Sequence, residues 1–132
     1  MIYIKKINIF KDARGTLAVL ENKNFKFFSI KRSFFIDFKK KKIQRGEHAH
    51  KKCSQFIFCI SGKIRLNTID SKLKKRQIIL SNMKKGVYIE PLVWVKITSE
   101  MNNTAIACFA DREYEKNDYI HNLNEFKKII KK

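Results

Sequence analysis

No apolar run in the sequence approaches the ~18 residues that a bilayer-spanning helix needs, so no such helix is expected. The opening stretch Met1-Ile-Tyr-Ile-Lys-Lys is broken by charge too early to form the apolar core of a secretory leader. Cysteine is sparse: Cys53, Cys59 and Cys108 are an odd set without a Cys-x-x-Cys pair, which points to reduced thiols rather than a bonded framework. Cys59 and Cys108 each sit inside an apolar run and read as small core residues. A cytoplasmic protein is the expectation. Internal repeats, low-complexity linkers and domain boundaries are also missing, and a length of 132 residues suits one domain, 1–132, around one core.

Acidic residues are few. Twelve Asp and Glu face 30 Lys and Arg, for a formal charge of +18. Such an excess suits nucleic acid, an anionic membrane surface or an anionic small substrate. Much of it is lysine in short clusters, at Lys39 to Lys42, Lys74 to Arg76, Lys127-Lys128 and Lys131-Lys132. No helix-turn-helix, zinc finger or aromatic-studded RNA-binding strand accompanies them. The clusters therefore read as solvated surface, with neither a specific nucleic acid nor a membrane as partner. With 44% hydrophobic and 32% charged residues, the chain has enough apolar matter to fold.

What remains reads as many short strands. Ile2 to Ile9 alternates loosely, Lys11 to Gly15 is a turn, and Thr16 to Leu20 is a second strand. Phe27 to Ile30 and Ser33 to Ile36 are aromatic-rich strands whose rings suit a core. Further strands are expected at Lys63 to Ile69, Arg76 to Leu80, Gly86 to Ile89, Val93 to Thr98 and Ala105 to Ala110. Polar turns separate them at short intervals, which argues an all-β sandwich or barrel. The tail from Leu123 has apolar residues at 123, 126, 129 and 130, the spacing of a short C-terminal helix, with Asn122 or Asn124 as its N-cap.

The stretch carrying the chemistry is Arg45-Gly-Glu-His-Ala-His-Lys-Lys-Cys-Ser-Gln-Phe-Ile-Phe-Cys-Ile-Ser-Gly62. His48 and His50 stand two apart, so on a strand both imidazoles face one side. A lone His-x-His serves equally well as two ordinary polar residues of an edge strand. The flanking residues weigh against that bland reading. A G-x-H-x-H, a polar residue, an apolar strand and a glycine resemble the first motif of the cupin superfamily. That resemblance implies a double-stranded β-helix, or jelly-roll barrel, whose motif usually holds a metal through two histidines and a glutamate. Here Gln55 takes the glutamate's place, and Gly86 to Lys96, which matches the second motif, contains no histidine. Two neutral imidazoles and a carboxamide make a poor metal site, so no metal and no cofactor are expected.

A closer resemblance is to the WxcM-like dTDP-4-keto-6-deoxyglucose 3,4-ketoisomerases. It rests on Arg45 to Lys52 with Gln55, on Asp12-Ala-Arg14-Gly15-Thr-Leu17, and on Phe27 to Ile36. Gly86 to Trp94 and Tyr114 to Ile120 with Phe126 extend it over nearly the whole chain. It implies a dTDP-linked 4-keto-6-deoxy sugar as substrate and a homodimer exchanging N-terminal strands. His50 would shuttle the proton, with His48 donating to or orienting the sugar oxygens. Arg45 and Arg32 would hold the diphosphate, with Arg14, Gln55 and Lys51 as further substrate contacts. Tyr88, Trp94 and Tyr119 read as core or interface aromatics, and His121 as exposed. The chain departs from the pattern at Phe34-Phe35, where a tyrosine is usual, and at Val95, where a basic residue is usual. The second departure leaves the configuration at carbon 4 of the product open. A non-catalytic sugar-binding cupin is the competing reading.

The charge yields the first testable expectation. Weak DNA binding at low salt should vanish towards physiological ionic strength, because scattered lysines gain affinity only through counterion release. Sequence-specific binding surviving ~200 mM salt in a gel-shift titration would overturn it.

Overall fold

The computed structural model describes residues 2–24 and 29–131. Twelve strands and one helix follow in chain order: β1 Ile2–Lys6, β2 Asn8–Asp12, β3 Gly15–Val19, β4 Arg32–Phe38, β5 Gln44–His50, β6 Gln55–Ser61, β7 Lys63–Ile69, β8 Lys75–Ser81, β9 Lys85–Ile89, β10 Trp94–Ser99, β11 Thr104–Ala110, β12 Tyr119–Ile120 and α1 Leu123–Ile130. One sheet runs β1-β9-β6-β11-β4, a second runs β12-β5-β10-β7-β8, and β2-β3 stand apart as a hairpin. β4 pairs with β11, β5 with β10, β6 with β9 and β7 with β8, all antiparallel. This nesting is a long hairpin folded over on itself, the jelly-roll arrangement expected from the sequence.

Alternation explains the core. In β7, Ile64, Leu66 and Thr68 turn inward while Lys63, Arg65 and Asn67 stay outside. Ile78 and Leu80 of β8 and Val95 and Ile97 of β10 join them from the same sheet. Ile57, Cys59, Val87, Ile89, Ile106 and Cys108 meet them from the other sheet. Period-2 burial of this kind is what an antiparallel sheet with one covered face requires. Cys59 and Cys108 are core residues, and Cys53, Cys59 and Cys108 are all free and buried.

Outside the barrel, α1 lays Phe126 against Trp94, Ala49 and Ile120. Asn122 is its N-cap, its side-chain oxygen accepting from the Glu125 N–H at 3.0 Å. This short helix covers the back of the histidine strand. Among the described residues no helix is long and apolar enough to cross a membrane.

Two expectations change in detail. The single strand expected over Ile2 to Ile9 is broken at Ile7, which turns into a satellite core with Phe56, Phe58 and Tyr88. Its N–H donates to the Lys84 carbonyl at 3.0 Å. Burying that side chain interrupts the alternation and frees β2 to leave the sheet with β3. The strand expected from Phe27 to Ile30 lies largely outside the described residues, and Ser29 and Ile30 are not in a strand.

β5 contains the irregularity that matters most for the site. Gly46 and Glu47 both take positive φ, 93° and 43°, and the register against β10 shifts between Val95 and Lys96. A Cβ on Gly46 would lie 3.0 Å from the Val95 carbonyl oxygen. The position therefore needs glycine on both conformational and steric grounds. The bulge realigns the strand so that His48 stands opposite Val95. Bulges commonly re-aim side chains in this way.

Candidate active site

Residues of β4, β5, β6, β10, β11 and β12 line a cavity of about 370 Å³. Its polar lining comes from Arg45, His48, Gln55 and Tyr119, and Phe34, Ile36 and Val95 are among its apolar walls. His48 and His50 share a face of β5, as the spacing predicts, with ring centroids 5.1 Å apart and edge-to-face. His50 lies behind His48 and is only 6% exposed.

Each imidazole has its tautomer fixed by its neighbour. His48 Nδ1 is 2.7 Å from the Gly46 carbonyl oxygen, which can only accept. Nδ1 therefore carries the hydrogen, and Nε2 is left with its lone pair. His50 Nδ1 is 3.0 Å from Asp118 Oδ2, while its buried Nε2 has no partner among the described residues. Asp118 is itself buried and held by further donors, accepting from the Lys52 N–H at 2.7 Å and the Cys53 N–H at 3.3 Å.

The electrostatics follow from burial. Desolvation is the largest influence on His50 and drives its pKa down to about 4, against the hydrogen bond to Asp118, which pulls upward. At neutral pH the contact is therefore a neutral imidazole donating Nδ1–H to the Asp118 carboxylate rather than an imidazolium–carboxylate ion pair. Burial also lowers the pKa of His48, assisted by the charges of His121 and Arg32 and opposed by the Gly46 hydrogen bond. For Asp118 burial pulls upward, but the donors from His50, Lys52 and Cys53 outweigh it and the net shift is downward.

Other residues singled out in the sequence fall in different places. Arg45 and Gln55 line the cavity with His48. Arg32 lies beside it, half-buried, stacked over Phe34 and Tyr114 at 5.2 and 5.7 Å and donating to the Tyr119 hydroxyl at 3.4 Å. Lys51 is exposed in the turn after β5, and its backbone N–H donates to the Asp118 carbonyl at 2.8 Å. Arg14 sits at the tip of the β2-β3 hairpin, paired with Asp12, and its own chain does not bring it to the cavity. His121 is exposed, stacked on Tyr119 with centroids 5.4 Å apart. Asp118 and Tyr119 were not singled out as site residues by sequence reasoning. Their sequence signal is membership of the Tyr114 to Ile120 stretch that resembles the family, and only the pairing of Tyr119 with His50 across the sheet places them at the site.

Cupin barrels usually hold a metal, so the donor set deserves a chemical test. His50, Cys53 and Asp118 place ligand atoms within 4.8 Å of one another. Burial, with Asp111 nearby, pushes the Cys53 thiol up to about 11, so it stays protonated, and it donates to the Ser54 carbonyl at 3.4 Å. His50 Nδ1 and both Asp118 oxygens are already engaged. Of this set only His50 Nε2 keeps a free lone pair, and one imidazole nitrogen beside a protonated thiol and an engaged carboxylate does not fit a metal.

The pH behaviour follows. An imidazole titrates near 6.5 in the unfolded chain and near 4 at folded His50, so between those values the unfolded chain binds more protons. Stability should be full above the upper value and fall as the pH drops towards the lower one. Thermal melts across that window should show the fall, and His50→Asn should make it shallower. An unchanged slope in the variant would remove His50 as the cause.

The comparisons with known proteins agree with this geometry. The family described as FdtA: WxcM-like, C-terminal, matches residues 1–131. A TDP-4-oxo-6-deoxy-alpha-D-glucose-3,4-oxoisomerase of Aneurinibacillus thermoaerophilus is 37% identical over 131 residues, covering 97% of this chain and 93% of that protein. The structure of QdtA, a sugar 3,4-ketoisomerase from Thermoanaerobacterium thermosaccharolyticum in complex with TDP, superposes with a TM-score of 0.91 at 29% identity, covering 98% of this chain and 94% of that one. A histidine-to-asparagine mutant of QdtA, in complex with TDP-4-keto-6-deoxyglucose, gives 0.91 at 28% identity with the same coverage. With sequence, fold and the paired histidines in agreement, the chain belongs to the FdtA, WxcM-like family of sugar 3,4-ketoisomerases.

Proposed function

We propose that this chain moves the ketone of a dTDP-linked 4-keto-6-deoxyhexose from carbon 4 to carbon 3 by a metal-independent histidine proton shuttle. The observation that carries this reading is His50 Nε2, a buried lone pair without a partner, its tautomer set by Asp118. Relatives acting on TDP-4-keto sugars support the choice of substrate.

The hydrogen on carbon 3 is acidified by the carbonyl at carbon 4. His50 Nε2 takes that proton, and the electrons of the C–H bond form the enediolate. The same nitrogen returns the proton to carbon 4 while the hydroxyl proton moves between the two oxygens. Burial favours return of the proton from His50 and weakens the ring as a base in the first step, which the hydrogen bond to the Asp118 carboxylate offsets. Asp118 supports the imidazolium between the steps and holds the ring in one orientation. His48, with Nδ1–H spent on Gly46, offers Nε2 as an acceptor that orients a sugar hydroxyl. Arg45 and Arg32 are assigned to the diphosphate, Gln55 to a sugar oxygen, and Lys51 to the outer rim of the substrate. The free, buried cysteines suit a reducing cytoplasm, where we place the protein.

A homodimer exchanging N-terminal strands belongs to the same reading and gives Arg14 a role. The β2-β3 hairpin is a two-stranded sheet of its own, with Phe10 64% and Leu17 61% exposed as a cross-strand pair. One face of the hairpin, Ile9 and Ala18, packs on its own barrel, while the face bearing Phe10 and Leu17 has no such cover among the described residues. A second copy would cover that pair and carry Arg14 towards a neighbouring cavity. Light scattering should give twice the chain mass, and Phe10→Ser with Leu17→Ser should shift it towards the monomer. A monomeric parent protein would end this part of the reading.

One observation favours the competing, non-catalytic module: Val95 stands in the cavity wall where the family usually carries a basic residue. Incubating chelator-treated protein with dTDP-4-keto-6-deoxyglucose and following the sugar by NMR separates the two readings. Turnover is expected. His50→Asn should lose ~10²–10⁴ in rate with the fold intact, and His48→Asn should lose less. Full activity in the double variant would remove both histidines from the chemistry.

A further inference from the structure

Both histidines of the site have already given away their only N–H. His48 Nδ1 donates to Gly46 and His50 Nδ1 to Asp118, so each neutral ring presents only a lone pair. Burial keeps both rings neutral by lowering their pKa values. A base needs such a lone pair, but the enediolate needs the opposite, a donor aimed at the oxygen where charge develops. The donor must therefore come from another residue.

Tyr119 meets the requirement. Its backbone is paired with His50 through the β5-β12 ladder. That pairing lays its ring against both imidazoles, with centroids 4.4 Å from His50 and 5.1 Å from His48. The residue is half-buried and lines the same cavity. Its hydroxyl oxygen accepts from Arg32 Nη2 at 3.4 Å. A hydroxyl has one hydrogen and two lone pairs, so accepting from Arg32 leaves the hydrogen free to be given elsewhere. Among the described residues no acceptor takes it. The neighbouring guanidinium further polarises the O–H bond and makes it a stronger donor. Arg32 is itself held by stacking over Phe34 and Tyr114, so the pair is fixed before substrate arrives.

Resting on the proposed ketoisomerase activity, we infer that Tyr119 is a catalytic residue whose hydroxyl donates a hydrogen bond to the sugar oxygen that becomes negative when carbon 3 is deprotonated. The proton remains on the phenol throughout. His50 moves the carbon-bound proton and Tyr119 stabilises the charge this creates, so base and donor are adjacent across one strand pair. Gln55, the carboxamide of the wall, is the candidate for the second sugar oxygen.

Tyr119→Phe keeps the ring, its tilted contact with His50 and its stacking on His121, and removes only the hydroxyl. It should lower kcat by ~10²–10³ while KM stays within a few-fold, because a hydrogen bond that strengthens with developing charge acts on the chemical step. Replacing Tyr119 by 4-aminophenylalanine, which restores an N–H donor on the same ring, should recover part of the rate. A Tyr119→Phe protein within about twofold of the parent in kcat, or impaired in KM alone, would overturn the inference and leave Tyr119 as packing. Absence of turnover in the parent protein would instead sink the ketoisomerase reading, so the two failures are distinguishable.

Discussion

The hydrogen bond between His50 and Asp118 is the constraint on which the site depends. It joins the inward face of β5 to the segment just before β12, 68 residues away in the chain. A buried carboxylate with unfilled lone pairs is costly, and Asp118 avoids that cost by taking N–H groups from Lys52 and Cys53 as well as the imidazole. Its own backbone closes the turn in return, its carbonyl accepting from Lys51. One acidic side chain thereby shapes the chain after β5, selects the tautomer of His50 and delivers Tyr119 to the register where it touches both histidines. Removing it would disturb all three together.

The Gly46-Glu47 bulge is the complementary device on the other side of β5. Without it, simple alternation from Gln44 would continue in register along β10, and Val95 would not stand opposite His48. The bulge also frees the Gly46 carbonyl to accept from His48 instead of serving only the ladder. Both ring nitrogens nearest the backbone are thus occupied by the fold, and both outer nitrogens are reserved as acceptors. Catalysis by proton shuttling requires that arrangement, since an imidazole that kept its N–H pointing at the substrate could not accept from it.

Legibility in the sequence followed range of interaction. His48 and His50 could be read as a same-face pair because two-residue periodicity is local, and the alternation of β7 was legible for the same reason. The N-cap at Asn122 was likewise a local signal. Asp118 and Tyr119 were not visible as site residues, because nothing near them in the chain says that β12 will lie beside β5. Tyr119 in particular looked like packing, and it does pack; its oxygen is what sets it apart. The break at Ile7 was hidden because burial against Phe56 and Tyr88 depends on β6 and β9 being in place. Arg14 stood out in a matching motif, yet its hairpin leaves the barrel, so local pattern named the residue without locating it.

The cavity is a continuation of the core. β6 turns Gln55 and Ile57 to the same wall, and one step further along it places Cys59 in the packed interior. β10 does the same with Val95 and Ile97, which are at once cavity lining and members of the main core cluster. Interiors packed at this density deform little, so residues two positions along the same strand inherit that rigidity. Gln55 is therefore placed by a strand whose next inward residues, Ile57 and Cys59, are already immobilised, and β5 is paired with β10, where Val95 and Ile97 are. This is how a chain with so few inward-facing polar side chains holds two imidazoles, a carboxylate and a hydroxyl in fixed relation.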